Sequence, residues 1–194
     1  FYDPIKLFYT YMRGINFAES QIGISSLLAH FYSYGVPMFS TSILPWLWRG
    51  MYDTKRAVKM AQQLNDKVQE GLAYGYLCMG NHMANKPSEA IEYGRKGIQL
   101  LSGQGEYWEL GISYHFVYDF NCYLSGKLKE AREGNQKFQA IARESKSLQN
   151  LGWALEGQAK IASLIVNVDE KIIADVKESA ELLLKTKDKM ILIY

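Results

Sequence analysis

The sequence predicts an all-α protein, and three observations carry that prediction. Residues 74–101, YGYLCMGNHMANKPSEAIEYGRKGIQLL, read as two amphipathic helices joined by the turn Ala84-Asn85-Lys86-Pro87, which makes one helical hairpin. Only 4 prolines stand against 14 tyrosines and 8 phenylalanines, and few β-branched runs occur, a balance that favours helices over strands. The helical stretches are separated by connections of a few residues, which makes sequential helices antiparallel neighbours.

Taken in order, Asp3-Pro4 is a helix start, with an acidic cap and a proline in the first turn, and Gly14 is a stop, so the first helix spans about ten residues. A second helix is expected from about Ala18 to Tyr34, ended by Gly35-Val36-Pro37, where glycine caps and proline cannot continue. A third, about Met38 to Gly50, contains Pro45, which kinks it or shortens it. Asp53-Thr54 then caps a helix whose Ala57, Val58, Ala61 and Leu64 form a packing face. Further helices are expected at about 68–83, 87–101, 107–124, 127–143, 145–166 and 169–185. The glycine-rich Ser102-Gly103-Gln104-Gly105 reads as a turn between hairpins, because no Gly-Lys-Ser follows it to make a phosphate loop.

Internal repetition then sets the architecture. Ala131 follows Ala90 by 41 residues, and Ala57 precedes Ala90 by 33. Gly71-Leu72-Ala73-Tyr74, Gly111-Ile112-Ser113-Tyr114 and Gly152-Trp153-Ala154-Leu155 recur at intervals of 40 and 41. In the last unit Ala174 follows Ala131 by 43, a departure that fits a capping unit or the edge of a larger array. The stretch Glu89 to Leu100, EAIEYGRKGIQL, resembles the second helix of a tetratricopeptide repeat, whose usual pattern there is EAIEYYEKALEL. The spacings resemble the usual unit of about 34 residues mixed with a longer one of about 41.

That resemblance implies a right-handed superhelix, a solenoid of antiparallel helical hairpins, because an isolated hairpin cannot bury its apolar stripe whereas stacked ones form a continuous core. The expected units are an N-terminal helical pair over residues 1–37, hairpins over 38–67, 68–104, 105–144 and 145–186, and a tail over 187–194 that is too apolar to be free. The chain opens on Phe1 rather than Met and is expected to be a piece of a longer protein.

Arrays of this family bind partner segments on a concave surface lined by the first helix of each hairpin. Carried onto this sequence, the groove positions are Phe39, Trp46 and Arg49 in one unit, Leu72, Met79, His82 and Met83 in the next, and Ser113, Phe116, Phe120 and Tyr123 in the third. Such a surface of rings and thioethers suits an apolar or helical peptide. The alternative for the same side chains is packing between helices. Asp119 stands where the family has a small buried residue. It is either a polar anchor in the groove or a structural hydrogen bond to a tyrosine, an arginine or an asparagine such as Asn81.

Composition and motifs exclude several function classes. The 22 Lys plus Arg and 20 Asp plus Glu leave a net charge of +2, with no cationic stripe to attract nucleic acid. No apolar run approaches the ~18 to 20 residues of a membrane-spanning helix. His30, His82 and His115 lack metal-ligand spacing, and no nucleophile elbow or phosphate loop occurs, so no metal, cofactor or catalysis is expected. Cys78 and Cys122, without a CxxC spacing, read as core residues in a reducing compartment, the cytoplasm. The expected function is a non-catalytic interaction or regulatory scaffold, whose partner is a protein, a peptide or an attached domain of the same polypeptide. Its longer units are similar to those of large signalling regulators. The alternative is a small-molecule effector sensor of a multidomain signalling protein.

Overall fold

The computed structural model describes residues 3–41, 46–164 and 170–186. These residues are helical almost throughout, and no strand occurs among them. They fall into two compact units, Phe1–Ser113 and Tyr114–Tyr194. Among the described residues no helix is long and apolar enough to cross a membrane.

The first unit contains α1 (Pro4–Gln21), α2 (Ser26–Ser33), α3 (Gly35–Thr41), α4 (Leu47–Gln63), α5 (Lys67–Met83), α6 (Pro87–Leu101) and α7 (Tyr107–Tyr114), the last ending as the second unit begins. Asp3 caps α1 as expected, its carboxylate accepting from the amides of Ile5 and Lys6. The helix does not stop at Gly14. A β-carbon there would lie 2.5 Å from the ring of Phe31, so this glycine is a notch that receives an aromatic side chain. The break comes instead at residues 22–25, where Gly23 takes φ 68° and its amide closes on the Ala18 carbonyl. The expected helix from Ala18 is thereby divided, and α2 starts on the Ser25 cap.

Gly35-Val36-Pro37 does not end helical structure either, because the residues from Gly35 turn directly into α3, with Pro37 in its first turn, where a missing amide costs little. The segment 42–45, with Pro45, lies outside the described residues. Asp53 and Thr54 are not caps: they sit inside α4 and are 1% and 0% exposed. The Thr54 hydroxyl reaches the carbonyls of Gly50 at 2.9 Å and Ser33 at 3.2 Å and accepts from the Val36 amide. It is thus used where α2 ends and α3 begins, a junction that leaves helix-terminal backbone groups in need of partners.

Helices α5 and α6 match the expected ranges closely, since Asp66 caps the first and Pro87 opens the second. The core of this unit is built from Tyr11, Ile15, Leu28, Tyr32, Phe39, Val58, Met60 and Leu77 around alanines 18, 29, 57 and 73.

The second unit continues from α7 into a π-helical segment, His115–Cys122, followed by α8 (Leu128–Glu144), α9 (Leu148–Leu164) and α10 (Glu170–Lys185). Residues 165–169 and the tail 187–194 lie outside the described residues. Fully buried Phe138 stacks on Tyr114 at 5.8 Å, and Trp153 stacks on His115 at 5.2 Å. Cys78 and Cys122 are both buried and form no disulfide among the described residues.

One local device recurs through both units. Asn65, Asn85, Gly126 and Lys146 each take positive φ just after a helix. In each case the next amide bonds the carbonyl five residues back: Asp66 to Ala61, Lys86 to Asn81, Lys127 to Cys122 and Ser147 to Ala142. This is the Schellman closure of a helix end. Ala57, Ala90 and Ala131, the small residues singled out by their spacing, are all wholly buried, whereas Ala174 is exposed.

Candidate functional site

In the second unit the π-helical segment is organised by Asp119, which is wholly buried. Its Oδ2 lies 2.9 Å from Nδ1 of His115 and its Oδ1 accepts from the Asn135 amide at 2.8 Å. The second Asn135 hydrogen goes to the Ala154 carbonyl at 2.7 Å, which ties α8 to α9. Gln139 donates to Asn135 Oδ1 and to Gln158, Gln158 donates to Asp175 on α10 at 2.6 Å, and Arg143 donates to Gln139 at 3.1 Å. A line of polar groups therefore runs from a buried carboxylate to an exposed guanidinium and to α10. Gly157 makes it possible, because a β-carbon there would lie 2.2 Å from the Asp119 carboxylate carbon.

The partners of Asp119 are thus His115 and Asn135, whereas Asn81 gives its amide to the Leu77 carbonyl. Sequence reasoning passed over His115, although its i, i+4 spacing from Asp119 on one helix was a usable signal. The π geometry had no such signal. Within it the Asn121 side chain donates to the Phe116 carbonyl at 2.6 Å, and π segments of this kind concentrate at functional sites.

Burial pushes the Asp119 carboxyl above its ordinary range, against the opposing pull of His115, Asn135 and Lys160. The native state then holds the proton more tightly than the unfolded chain does. The stability it contributes is fully present below the usual carboxylate pKa of ~4 and is lost as pH rises through the native value. Denaturant midpoints of the protein and of Asp119→Asn, taken across pH 4 to 8, are expected to move in the variant's favour as pH rises. A trend in the opposite direction would mean that the partners outweigh burial.

Above this floor stand the predicted side chains of the second unit. Phe116 and Phe120 are half-buried and stacked, centroids 5.6 Å apart. Lys160 lies 4.3 Å over the Phe120 ring and pairs with Glu156 at 2.7 Å. Tyr123, also half-buried, follows the segment. His115 meets Phe120 edge-on at 4.7 Å, so the same network that satisfies Asp119 sets the position of the ring.

In the first unit Met79 is a core side chain at 5% exposure, His82 is half-buried, and Met83 at the end of α5 is 46% exposed. Trp46 and Arg49 do come together. With Phe8, Met12, Phe39 and Trp48 they line an apolar cleft of about 370 Å³. The sequence groups Phe39, Trp46 and Arg49 in one unit; Phe8 and Met12 reach the cleft from α1, to which the repeat resemblance gives no part in the groove, and Trp48 comes from the first turn of α4 beside Arg49. Arg49 Nε donates to Asp53 Oδ2 at 3.0 Å, and its guanidinium lies 5.8 Å from the Tyr52 ring. Asp53 Oδ1 and the Tyr11 hydroxyl are buried without a hydrogen-bond partner among the described residues. Burial raises both groups, and Arg49 opposes the shift of Asp53.

Among the described residues no group of three His, Cys, Asp or Glu is placed to hold a metal ion. No family model matches the chain, and no curated protein is found similar to it.

Proposed function

We propose that this chain is a tetratricopeptide-like interaction segment that binds a partner peptide without catalysis, and that the second unit carries its anchor at Phe116, Phe120 and Tyr123. The Schellman turns at Asn85 and Gly126 support the repeat reading, since they fall inside two successive expected hairpins, one 41-residue unit apart. Two buried cysteines outside any disulfide fit a reducing compartment such as the cytoplasm.

The observation that carries the binding reading is the half-exposed Phe116–Phe120 stack held on a fixed polar floor. Two rings locked by His115 and by the π segment lose little side-chain entropy when a partner covers them, which is what a binding hot spot needs. The test is the double variant Phe116→Ala, Phe120→Ala. Partner capture is expected to weaken by at least ~2 kcal/mol, roughly thirtyfold in Kd, with the helical circular-dichroism signal kept. Collapse of that signal would make the rings core residues, and unchanged capture would move the anchor elsewhere.

A further inference from the structure

We infer that the face formed by α1 and α4 in the first unit docks on the surface of an anionic lipid bilayer, with Ile5, Tyr9, Trp48 and Tyr52 entering the interface and Arg13, Lys55 and Lys59 meeting headgroup phosphates. The inference is independent of the peptide reading, which rests on the second unit.

The two helices present this face together. Ile5 and Tyr9 stand at i, i+4 on α1, and Trp48 and Tyr52 do so on α4, so each pair forms a strip along its helix. Phe8 and Met12, each three residues after a member of the α1 strip, line the apolar cleft opposite Trp48, so both strips border the same concavity. Trp48, Ile5, Tyr9 and Tyr52 are 69%, 64%, 60% and 56% exposed, and Trp46 at the cleft is 46% exposed. Large apolar side chains gathered at this exposure around a concavity mark a surface that gains by being covered.

The chemistry of the face selects a bilayer as the cover. Trp and Tyr are the side chains that settle at the membrane–water boundary, where the ring is apolar and its polar tip stays wet. Each strip carries a guanidinium against a tyrosine: Arg13 lies 5.7 Å from the Tyr9 ring and Arg49 lies 5.8 Å from the Tyr52 ring. Lys55 and Lys59 follow Trp48 at i+7 and i+11 and are exposed, so they prolong the α4 strip as cations. Lysine is depleted from protein–protein interfaces, whereas Trp beside Lys and Arg is the composition of helices that lie on membranes.

Charge complementarity points the same way. Residues 3–63, which contain both helices, hold six Lys or Arg against three acids, while the remainder of the chain holds more acids than cations. The three acids are also spoken for: Asp53 is buried on Arg49, Glu19 pairs with Arg56, and Asp3 caps α1. The net positive charge of the chain is therefore concentrated on the helices that expose the aromatic strips, and an anionic surface attracts it.

Flotation of the intact chain with vesicles tests this, using phosphatidylcholine alone and an equimolar mixture with phosphatidylglycerol. The anionic vesicles are expected to hold the protein at least ~tenfold more tightly, and molar salt, which shortens the Debye length to ~3 Å, to remove most of that preference. The pair Tyr9→Ser, Trp48→Ser is expected to weaken anionic binding at least ~tenfold, and the pair Lys55→Gln, Lys59→Gln to weaken it by a similar factor, at roughly fivefold per cation. All four side chains are exposed, so both variants should keep the helical circular-dichroism signal of the parent. The control pair Lys129→Gln, Lys137→Gln, exposed on α8 of the second unit, should bind as the parent does. Failure of the parent to float with anionic vesicles overturns the inference, and self-association that is lost in Tyr9→Ser, Trp48→Ser would then give the face to a second copy of the chain. Equal binding to neutral vesicles overturns the anionic assignment. An equal loss in the α8 control overturns the site, because the attraction would be diffuse, and so does full binding by the folded Tyr9→Ser, Trp48→Ser variant.

Discussion

Gly157→Ala is expected to destabilise the second unit by about 4 kcal/mol, enough to unfold much of it under mild denaturant. The added methyl would occupy the space of the Asp119 carboxylate, which is wholly buried and held on both oxygens by His115 and Asn135. If the carboxylate yields, it loses those bonds and remains a buried charge without compensation. If α9 backs away instead, the Asn135 bond to Ala154 and the stacking of Trp153 on His115 are lost together. The sign makes this a sharp test, because alanine for glycine inside an ordinary helix stabilises by roughly 1 kcal/mol. Urea unfolding followed by circular dichroism measures it. A Gly157→Ala protein as stable as the parent would show that the carboxylate has another place to go. The pair Gly157→Ala, Asp119→Ala should be more stable than the sum of its single changes, since the second removes the atoms that the first collides with.

Gly50→Ala is expected to cost about 3 kcal/mol, which for a chain of this size lowers the thermal midpoint by roughly 6 to 12 °C. Here the obstacle is backbone. The new β-carbon would sit 2.5 Å from the carbonyl oxygen of Gly35 and 2.8 Å from its carbonyl carbon, and a β-carbon at Gly35 would in turn lie 2.7 Å from the carbonyl oxygen of Gly50. Neither can be relieved by a rotamer change, so α3 has to move off α4. Thr54, which joins the Gly50 carbonyl to the α2–α3 junction, would lose its hydrogen bonds as it does. A thermal scan in which Gly50→Ala leaves the midpoint unchanged would mean that the two helices do not approach this closely.

These substitutions fall where local reading of the chain misjudged its glycines and acids. Gly14 looks like a helix stop, yet α1 runs through it because Phe31 fills the notch. Asp53-Thr54 has the form of a cap, yet both residues are interior because Arg49 and the α2–α3 junction give them partners. In contrast, α6 spans the stretch expected from its opening proline and its amphipathic period, and the turns at Asn65 and Asn85 fall between the expected helices. The candidate sites divide in the same way. Phe39, Trp46 and Arg49 could be grouped in advance because they share one predicted unit, but Phe8 and Met12 join them only through the packing of α1.

The amino-acid sequence by itself determined that the described chain is helical and where most of its helices lie. These follow from periodicity, capping and turn chemistry, which act over a few neighbouring residues. Only the tertiary structure decided which glycines are notches, which carboxylates are interior, that His115 rather than Asn81 answers Asp119, and that the 115–122 segment widens into a π-helix. Each of those depends on side chains brought into contact by the packing of separate helices, and a buried carboxylate or a missing β-carbon acquires its meaning from whatever atom the fold places against it.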